Sequence, residues 1–383
     1  MKILEVSSCF PPSRGGVERC VHELSTRFAE HGHEVTVVTS TRGKSPKYHS
    51  EILDGLRVIR YPERYHLFEA PLVPMIATSA LTMDYDVIHI HGMSPTITDF
   101  SILLARLRRK PIVVTYHNDA ETEQMGRITK LAAFVYSSLA AHILCRADVV
   151  VSSTRSYAHT SPSLRYCLGK LRVIPMGVDA KKYERIHEVA GEGVIDEESS
   201  NILFVGQLKD YKGVEVLLEA LYLLRSEGHL VKANIVGTGP QLENLKKQTV
   251  LLGMNNAVTF WGNIHEDQLL RLYAKCDTFV LPSLNRREAF GIVLLEAMAA
   301  GRTVVASDIP GVNEVALKGN GYLAPPNDAE SLARSILESI RNKRHPDLMR
   351  KVAQDHTWDK LAFRYESIFE SLLERRGRRN SKN

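Results

Sequence analysis

Cysteine is scarce in this chain, with five in 383 residues. None of the five (Cys9, Cys20, Cys145, Cys167, Cys276) stands in a CxxC pair or at metal-ligand spacing from a histidine, which excludes a zinc ribbon or finger. An odd, dispersed set predicts free thiols in a reducing compartment, not disulfides. Long apolar runs are also missing: no stretch reaches the roughly 18 uninterrupted apolar residues of a membrane span. The start, Met1-Lys2-Ile3-Leu4-Glu5-Val6, lacks the apolar region and cleavage site of a signal peptide and is predicted to form a strand. The expectation is a cytoplasmic protein, or one on the cytoplasmic face of a membrane. Excess charge is confined as well. Of the net +5, the segment Glu374–Asn383 carries +4, from Arg375, Arg376, Arg378, Arg379 and Lys382 against one acid. The nearly neutral body argues against a nucleic-acid partner. The tail itself reads either as a solvated, disordered end or as a contact for anionic lipid.

What is present is the composition of a soluble globular chain, 44% hydrophobic and 24% charged, and too long for one core. Short β-branched runs alternate with helical stretches, the pattern of parallel α/β domains. Strands are predicted at Ile3–Ser7, Glu34–Thr39, Val58–Tyr61, Val87–Ile90, Ile112–Tyr116, Val149–Ser152 and Arg172–Pro175. A second series follows at Ile202–Val205, Lys232–Val236, Val258–Trp261, Thr278–Leu281 and Thr303–Ser307. These runs are nearly all apolar in composition, as strands covered on both faces must be. Gly191, Gly193 and a Glu/Asp/Ser cluster interrupt the pattern between Asp179 and Asn201, so the boundary is placed near Val178, with domains at 1–178 and 179–358. After Trp358, Leu361, Tyr365, Ile368, Phe369 and Leu372 recur at helical spacing, and a helix is predicted over 359–376, with a basic tail at 377–383.

Three places carry candidate chemistry. The first strand runs into Gly15-Gly16 before a helix, and the strand ending at Val236 runs into Gly237-Thr238-Gly239-Pro240. Glycines at a strand-to-helix turn let backbone N–H groups approach an anion, aided by the helix dipole; the alternative is a tight turn that binds nothing. The third place follows the strand Thr278–Leu281, where Glu288 sits on a loop and Glu296 inside a helix apolar nearly all round. A carboxylate there needs a partner, either the vicinal hydroxyls of a ligand or an arginine in a structural salt bridge. His89 and His91 share one face of a strand by their period-two spacing. That is compatible with a metal pair or with packing and hydrogen bonding alone.

Glu288-x7-Glu296 with Phe290-Gly291 inside resembles the signature of the family 4 retaining glycosyltransferases. The resemblance extends through Gly15-Gly16-Val17-Glu18, Thr115-Tyr116-His117, Pro175-Met176-Gly177-Val178-Asp179, Val205-Gly206-Gln207 to Lys212-Gly213, Gly237-Thr238-Gly239-Pro240, Trp261-Gly262-Asn263-Ile264 and the final helix. It implies a GT-B fold: two Rossmann-like parallel-sheet domains facing across a cleft, an acceptor-binding first domain, a nucleotide-sugar-binding second, and a C-terminal helix crossing back to the first. It further implies that Glu296 holds the donor ribose, and that Glu288 lies beside the donor sugar. Lys212, with the N–H groups of Phe290 and Gly291, would bind the diphosphate. Gly15 and Gly16 approach the phosphates from the first domain, Trp261, Asn263 and Ile264 line the base pocket, and His117 faces sugar and acceptor. No metal ion or other cofactor is implied. Gln207 departs from the pattern, standing where the family has arginine; a neutral amide cannot balance a leaving diphosphate, and Arg286 or Arg287 is a candidate replacement. The loops 209–213 and 285–291 look like those of mannosyltransferases of polysaccharide assembly, which favours GDP-mannose as donor, with a UDP-hexose second. A glycan or polyprenyl-linked acceptor and peripheral contact with anionic membrane are the expected partners. An epimerase or phosphorylase on the same fold, and a catalytically silent nucleotide-sugar-binding subunit, remain open at this level.

Overall fold

The computed structural model describes every residue except 14, 42–46, 64, 68–69, 93, 95, 120–135, 137, 187–198 and 381–383. The chain forms two compact units, Met1–Met176 together with Trp358–Asn383, and Gly177–Thr357. The crossing between them lies at Met176–Gly177, two residues before the expected boundary.

The first unit is built on an eight-stranded sheet in the order β10-β9-β8-β7-β1-β2-β4-β3. Its strands are β1 (Lys2–Ser7), β2 (Glu34–Ser40), β3 (His49–Leu53), β4 (Leu56–Tyr61), β7 (Val87–His91), β8 (Ile112–Tyr116), β9 (Val149–Ser152) and β10 (Leu171–Val173), with β5 (Tyr65–Leu67) and β6 (Ala70–Leu72) forming a separate hairpin. Every pairing in the large sheet is parallel except β3 with β4. β1 lies centrally, with Leu4 beside Thr36 on β2 and Ile88 on β7. Ile3, Leu4, Val6, Val37, Val38, Ile88, Ile90, Val113 and Val114 are all buried. β3 escaped the sequence reading because it is an edge strand whose residues alternate between half-buried and exposed, so it lacks the apolar run of its neighbours.

The terminal helix, Trp358–Asn380, packs in the first unit. Its Tyr365 and Phe369 rings meet Phe28 of the helix Gly16–Glu30 at 6.5 and 5.5 Å, and Leu361, Tyr365, Phe369 and Leu372 are buried. Full burial of such side chains contributes roughly 1.5–3 kcal/mol each, which holds this return of the chain in place. Arg27 to Asp359 at 2.8 Å and His31 to Glu366 at 2.8 Å fix its register.

The second unit carries a six-stranded, wholly parallel sheet in the order β13-β12-β11-β14-β15-β16. Its strands are β11 (Ser200–Val205), β12 (Val231–Val236), β13 (Val258–Gly262), β14 (Thr278–Leu281), β15 (Thr303–Ser307) and β16 (Tyr322–Ala324). The chain reverses direction across the sheet between β11 and β14, the switch point at whose carboxyl edge open α/β sheets bind ligands.

Three expectations are corrected. Cys145 and Cys167 form a disulfide, with Cα atoms 5.2 Å apart, inside the range such a bond requires. The two are 22 residues apart and meet only through the fold, so spacing gave no sign of them; Cys9, Cys20 and Cys276 are buried and outside any disulfide. The interruption of the pattern does not begin at Asp179: its carboxylate caps the helix Ala180–Glu184 by accepting from Lys182 N–H at 3.3 Å, inside the second unit. Gly191 and Gly193 of the same reading lie outside the described residues. The basic tail does not start as a loose end at 377, because the helix continues to Asn380, and Arg376 donates to Asp148 at 2.9 Å; Lys382 lies outside the described residues.

Candidate functional site

At the carboxyl edge of the second sheet, two loops are locked together. The one after β11 makes a single 3-10 turn, Asp210–Lys212, and then Gly213 with φ +66°. A Cβ on Gly213 would lie 2.1 Å from the Pro282 carbonyl oxygen, so only glycine lets this loop press against the exit of β14. Leu284 N–H donates to the Tyr211 carbonyl at 2.8 Å across the same junction. The result brings Lys212 Nζ into a hydrogen-bonded ion pair with Glu288, whose carboxylate also accepts from Ser283 Oγ at 3.4 Å. The paired side chains are only 12% and 13% exposed. Burial acts against the Lys212 ammonium, but the charge of Glu288, with Tyr211, outweighs it and raises the pKa above the ordinary lysine value. The lysine is therefore a permanent cation at neutral pH. Arg287 stacks over the Tyr211 ring at 4.4 Å and donates to Asp210 at 3.3 Å, while Lys212 Nζ lies 5.4 Å from the same ring. Tyr211 thus has both cations against it.

The helix Ile292–Ala299 begins at Gly291, whose φ of +78° and 2.6 Å approach of a would-be Cβ to the Leu281 side chain suit glycine alone. Phe290 is buried, and so are Leu294, Leu295, Ala297 and Met298, the neighbours of Glu296 on this helix. Glu296 is 5% exposed and accepts a hydrogen bond from Tyr273 OH at 3.1 Å. Burial first, and the Glu296 charge second, push the Tyr273 phenol pKa well up, so it remains a proton donor. The sequence reading weighed an arginine or a ligand as partner and missed this tyrosine, which comes from the preceding helix, Glu266–Lys275.

The glycine turns after β11 and β12 prove to be a packing requirement. A Cβ on Gly237 would fall 1.8 Å from Gly206 O, and one on Gly239 2.3 Å from Leu208 O. Leu208 N–H donates to Thr238 O and Gly237 N–H to Gly262 O, both at 2.9 Å. These glycines are needed whether or not an anion binds. Gln207 and Asn263 are exposed at the same edge, Ile264 is half-buried, and Trp261 is anchored by its indole N–H to Asn234 Oδ1 at 2.9 Å.

Gly15, Gly16 and His117 belong to the first unit. Gly15 is extended, with φ 179°, and its open side faces the Glu18 carboxylate, which a Cβ would meet at 2.4 Å. Further along the sheet edge, His89 and His91 both donate to Glu5 on β1: His89 Nδ1 to Oε1 at 3.1 Å and His91 Nε2 to Oε2 at 2.7 Å. His91 Nδ1 lies 3.2 Å from His117 Nε2, and His89 Nε2 2.7 Å from Thr115 Oγ1, which is 3.0 Å from Tyr365 OH. Burial opposes the Glu5 charge, but His89 and the two donated bonds bring its pKa down to about 2. Burial and then His89 bring His91 down to about 4, and burial with both rings holds His117 well below the usual histidine range. Glu5, His89 and His91, and likewise Cys20, His91 and His117, lie close enough to hold a metal ion. However, the nitrogens facing Glu5 carry the protons of two hydrogen bonds, so hydrogen bonding accounts for the pair. Glu5 was missed in the sequence, although a carboxylate inside Ile3-Leu4-Glu5-Val6 on a central strand was the available signal.

A family model described as Glycosyltransferase Family 4 matches residues 14–182, and one described as Glycosyl transferases group 1 matches residues 187–356. The chain is 28% identical over 391 residues to the O-antigen chain mannosyltransferase C of Escherichia coli, covering 98% of this chain and 99% of that protein. Among solved structures it is similar to the sucrose-phosphate synthase of Thermosynechococcus elongatus, with a TM-score of 0.77 at 23% identity over 97% of this chain and 99% of the other. It is also similar to Anabaena HepE in complex with UDP, with a TM-score of 0.73 at 20% identity over 97% and 100%.

Proposed function

The chain belongs to the family 4 glycosyltransferases of the GT-B fold, and we propose that it moves a mannosyl unit from GDP-mannose to a glycan or polyprenyl-linked acceptor with retention at the anomeric carbon. The observation that carries this reading is the Lys212–Glu288 pair at the carboxyl edge of the second sheet, beside a helix that starts at Gly291 and buries Glu296. Transfer from a nucleotide sugar needs help chiefly for the diphosphate as the C1–O bond breaks. A buried ammonium and the N–H groups of Phe290 and Gly291 supply that help electrostatically. Arg287, held beside Lys212 by Tyr211, supplies the second cation that Gln207 does not. In the step itself, the bond from C1 to phosphate oxygen breaks and a bond from C1 to the acceptor oxygen forms on the same face. The acceptor proton passes to the departing phosphate oxygen. Glu288 stabilises the positive charge that grows on the sugar ring and keeps Lys212 aimed at the diphosphate. Glu296 accepts from the ribose hydroxyls, and His117 of the first unit offers its ring to a substrate hydroxyl. No metal ion has a part in this scheme, so turnover should continue in excess EDTA; loss restored by magnesium would overturn it.

The mannosyl assignment rests on the loops 209–213 and 285–291 and on the similarity to the O-antigen mannosyltransferase. A UDP-hexose is the second reading, favoured by the complex of HepE with UDP. A screen of nucleotide sugars by thermal stabilisation separates them, because a ligand at 100 times its Kd stabilises by about 2.7 kcal/mol. GDP-mannose should give the largest shift, and GDP should be released only when an acceptor is added. Release without acceptor, or product epimerised but not transferred, would remove the transferase assignment. For a polyprenyl-linked acceptor, the first unit offers a basic surface: Arg106 and Arg376 both pair with Asp148, at 3.2 and 2.9 Å. That joins the 106–110 run to the terminal helix, with Leu103 and Leu107 exposed nearby.

A further inference from the structure

We propose that Glu5 and His91 are positioning residues for His117: acting in series, they fix the ring tautomer of His117 in which Nε2 carries the proton and Nδ1 is left to accept a hydrogen bond from a substrate hydroxyl. The argument runs outward from the carboxylate. Glu5 is wholly buried on the central strand, and an ionised carboxylate can only accept. The two groups facing its oxygens, His89 Nδ1 at 3.1 Å and His91 Nε2 at 2.7 Å, must therefore both carry hydrogen. His91 is held neutral in this apolar surrounding, so with its proton on Nε2 its Nδ1 is a lone pair. The ring 3.2 Å from that lone pair is His117, through Nε2. A lone pair opposite a second lone pair would be repulsive, so His117 Nε2 is the donor. His117 is neutral too, which leaves Nδ1 unprotonated, and among the described residues no group bonds to it. The ring centroids of His91 and His117 are 5.5 Å apart and their planes 16° from parallel, the side-by-side arrangement that an in-plane N–H···N hydrogen bond requires.

The parallel register supports the same assignment. β1 sits beside β7 with Glu5 opposite His89 and Ser7 opposite His91, and β7 sits beside β8 with His91 opposite Thr115. His117 follows two residues after Thr115, on the same side of the strand. The series Glu5, His91, His117 therefore steps across three adjacent strands toward their carboxyl edge. His117 lies at its end, 8% exposed, while Glu5 and His91 are 0% and 2% exposed. A charge that never meets solvent thus dictates the hydrogen-bonding sense of the ring at the end of the series. That the hydroxyl belongs to a sugar rests on the transferase reading above; the tautomer does not.

The experiment uses the full-length protein labelled with 15N at histidine, with His117 assigned by its loss in His117→Gln. In the wild type, long-range 15N–1H correlation should show His117 with a protonated Nε2 and a bare Nδ1. Glu5→Gln replaces two acceptor oxygens by one acceptor and one donor, and with the amide turned to His91 every proton in the series reverses. His117 should then move its proton to Nδ1 or populate both forms, and kcat for nucleotide release should fall on the order of tenfold while the donor KM stays near its wild-type value. If Glu5→Gln does not fold, His91→Leu serves instead, since loss of the acceptor should return His117 to a mixture of tautomers. A proton on Nδ1 in the wild type, or a His117 tautomer unchanged in both folded variants, Glu5→Gln and His91→Leu, overturns the proposal. Expected tautomers in a protein that transfers from no nucleotide sugar would sustain the positioning series and refute the transferase reading separately.

Discussion

Replacing Lys212 by methionine separates what the buried ion pair does for the fold from what it does for chemistry. The side chains of Lys212 and Glu288 are 12% and 13% exposed, so the substitution leaves a carboxylate with little water and Ser283 Oγ at 3.4 Å as a remaining neighbour. Breaking a buried pair on one side costs about 3–5 kcal/mol; the residual exposure and the serine place this case near 3. At about 2–4 °C per kcal/mol for a unit of this size, the second unit should melt roughly 6–12 °C lower. Glu288→Gln should cost a similar amount by stranding the ammonium. The double variant Lys212→Met with Glu288→Gln removes both charges and should regain stability to within about 1 kcal/mol of the wild type. Turnover should not return with it. Loss of a preorganised cation facing a leaving diphosphate lowers kcat by a factor on the order of 10²–10³, in Lys212→Met and in the double variant alike. Calorimetric melting reports the first effect and nucleotide release the second. Strictly additive destabilisation in the double variant would mean that the pair is not energetically coupled. Recovery of kcat in the double variant would mean that the lysine acts only by neutralising Glu288.

Three further outcomes are expected. Glu296→Ala should weaken donor binding by roughly ten- to a hundredfold, the worth of charge-assisted hydrogen bonds to the ribose, and Tyr273→Phe, which keeps the carboxylate, should weaken it less; unchanged affinity in titration calorimetry for Glu296→Ala would refute the ribose assignment. In acid, the unfolded chain protonates His91 near its ordinary value of about 6.5 while the folded ring resists down to about 4, so stability present above pH 6.5 is lost as pH falls to 4, by about 3 kcal/mol from this group. Denaturant unfolding of wild type and His91→Leu between pH 7 and 4 checks it, and equal slopes would contradict the burial argument; Glu5, with its pKa near 2, adds its own loss only below about pH 4.5. Finally, the basic surface around Asp148 should bind anionic but not neutral liposomes in co-sedimentation, and release them at 1 M salt, where the Debye length is about 3 Å; equal binding to both lipids would leave the surface without that role.

How far the molecule can be read from its sequence depends on whether a feature is local. The central strands were legible because burial on both faces writes an apolar run into consecutive residues, as in Ile112–Tyr116 or Thr303–Ser307. The edge strands β3 and β16 were not, since a strand covered on one side or paired along three residues needs no such run. The terminal helix was legible as periodicity and its return to the first domain only through the family resemblance, while its partners, Phe28 and Arg27, were not legible at all. The disulfide between Cys145 and Cys167 is wholly a product of tertiary approach, and compositional argument about cysteine count pointed the wrong way.

The same distinction explains the candidate site. Glu288 and Glu296 share one strand-loop-helix segment, so their spacing survives in the sequence. Lys212 is 76 residues from Glu288, and nothing in either neighbourhood names the other. What joins them is a backbone condition: Gly213 must lack a side chain for the loop to lie against Pro282, and that approach carries Lys212 to the carboxylate. Glu5 meets His91 across 86 residues by parallel register alone, with one strand lying beside another that begins some eighty residues later. In both cases a single residue is out of keeping with its surroundings: a glycine where the chain turns left-handed, a carboxylate inside an apolar strand. Such misfits are where this sequence records its long-range chemistry, and each is resolved only when the sheet supplies the partner.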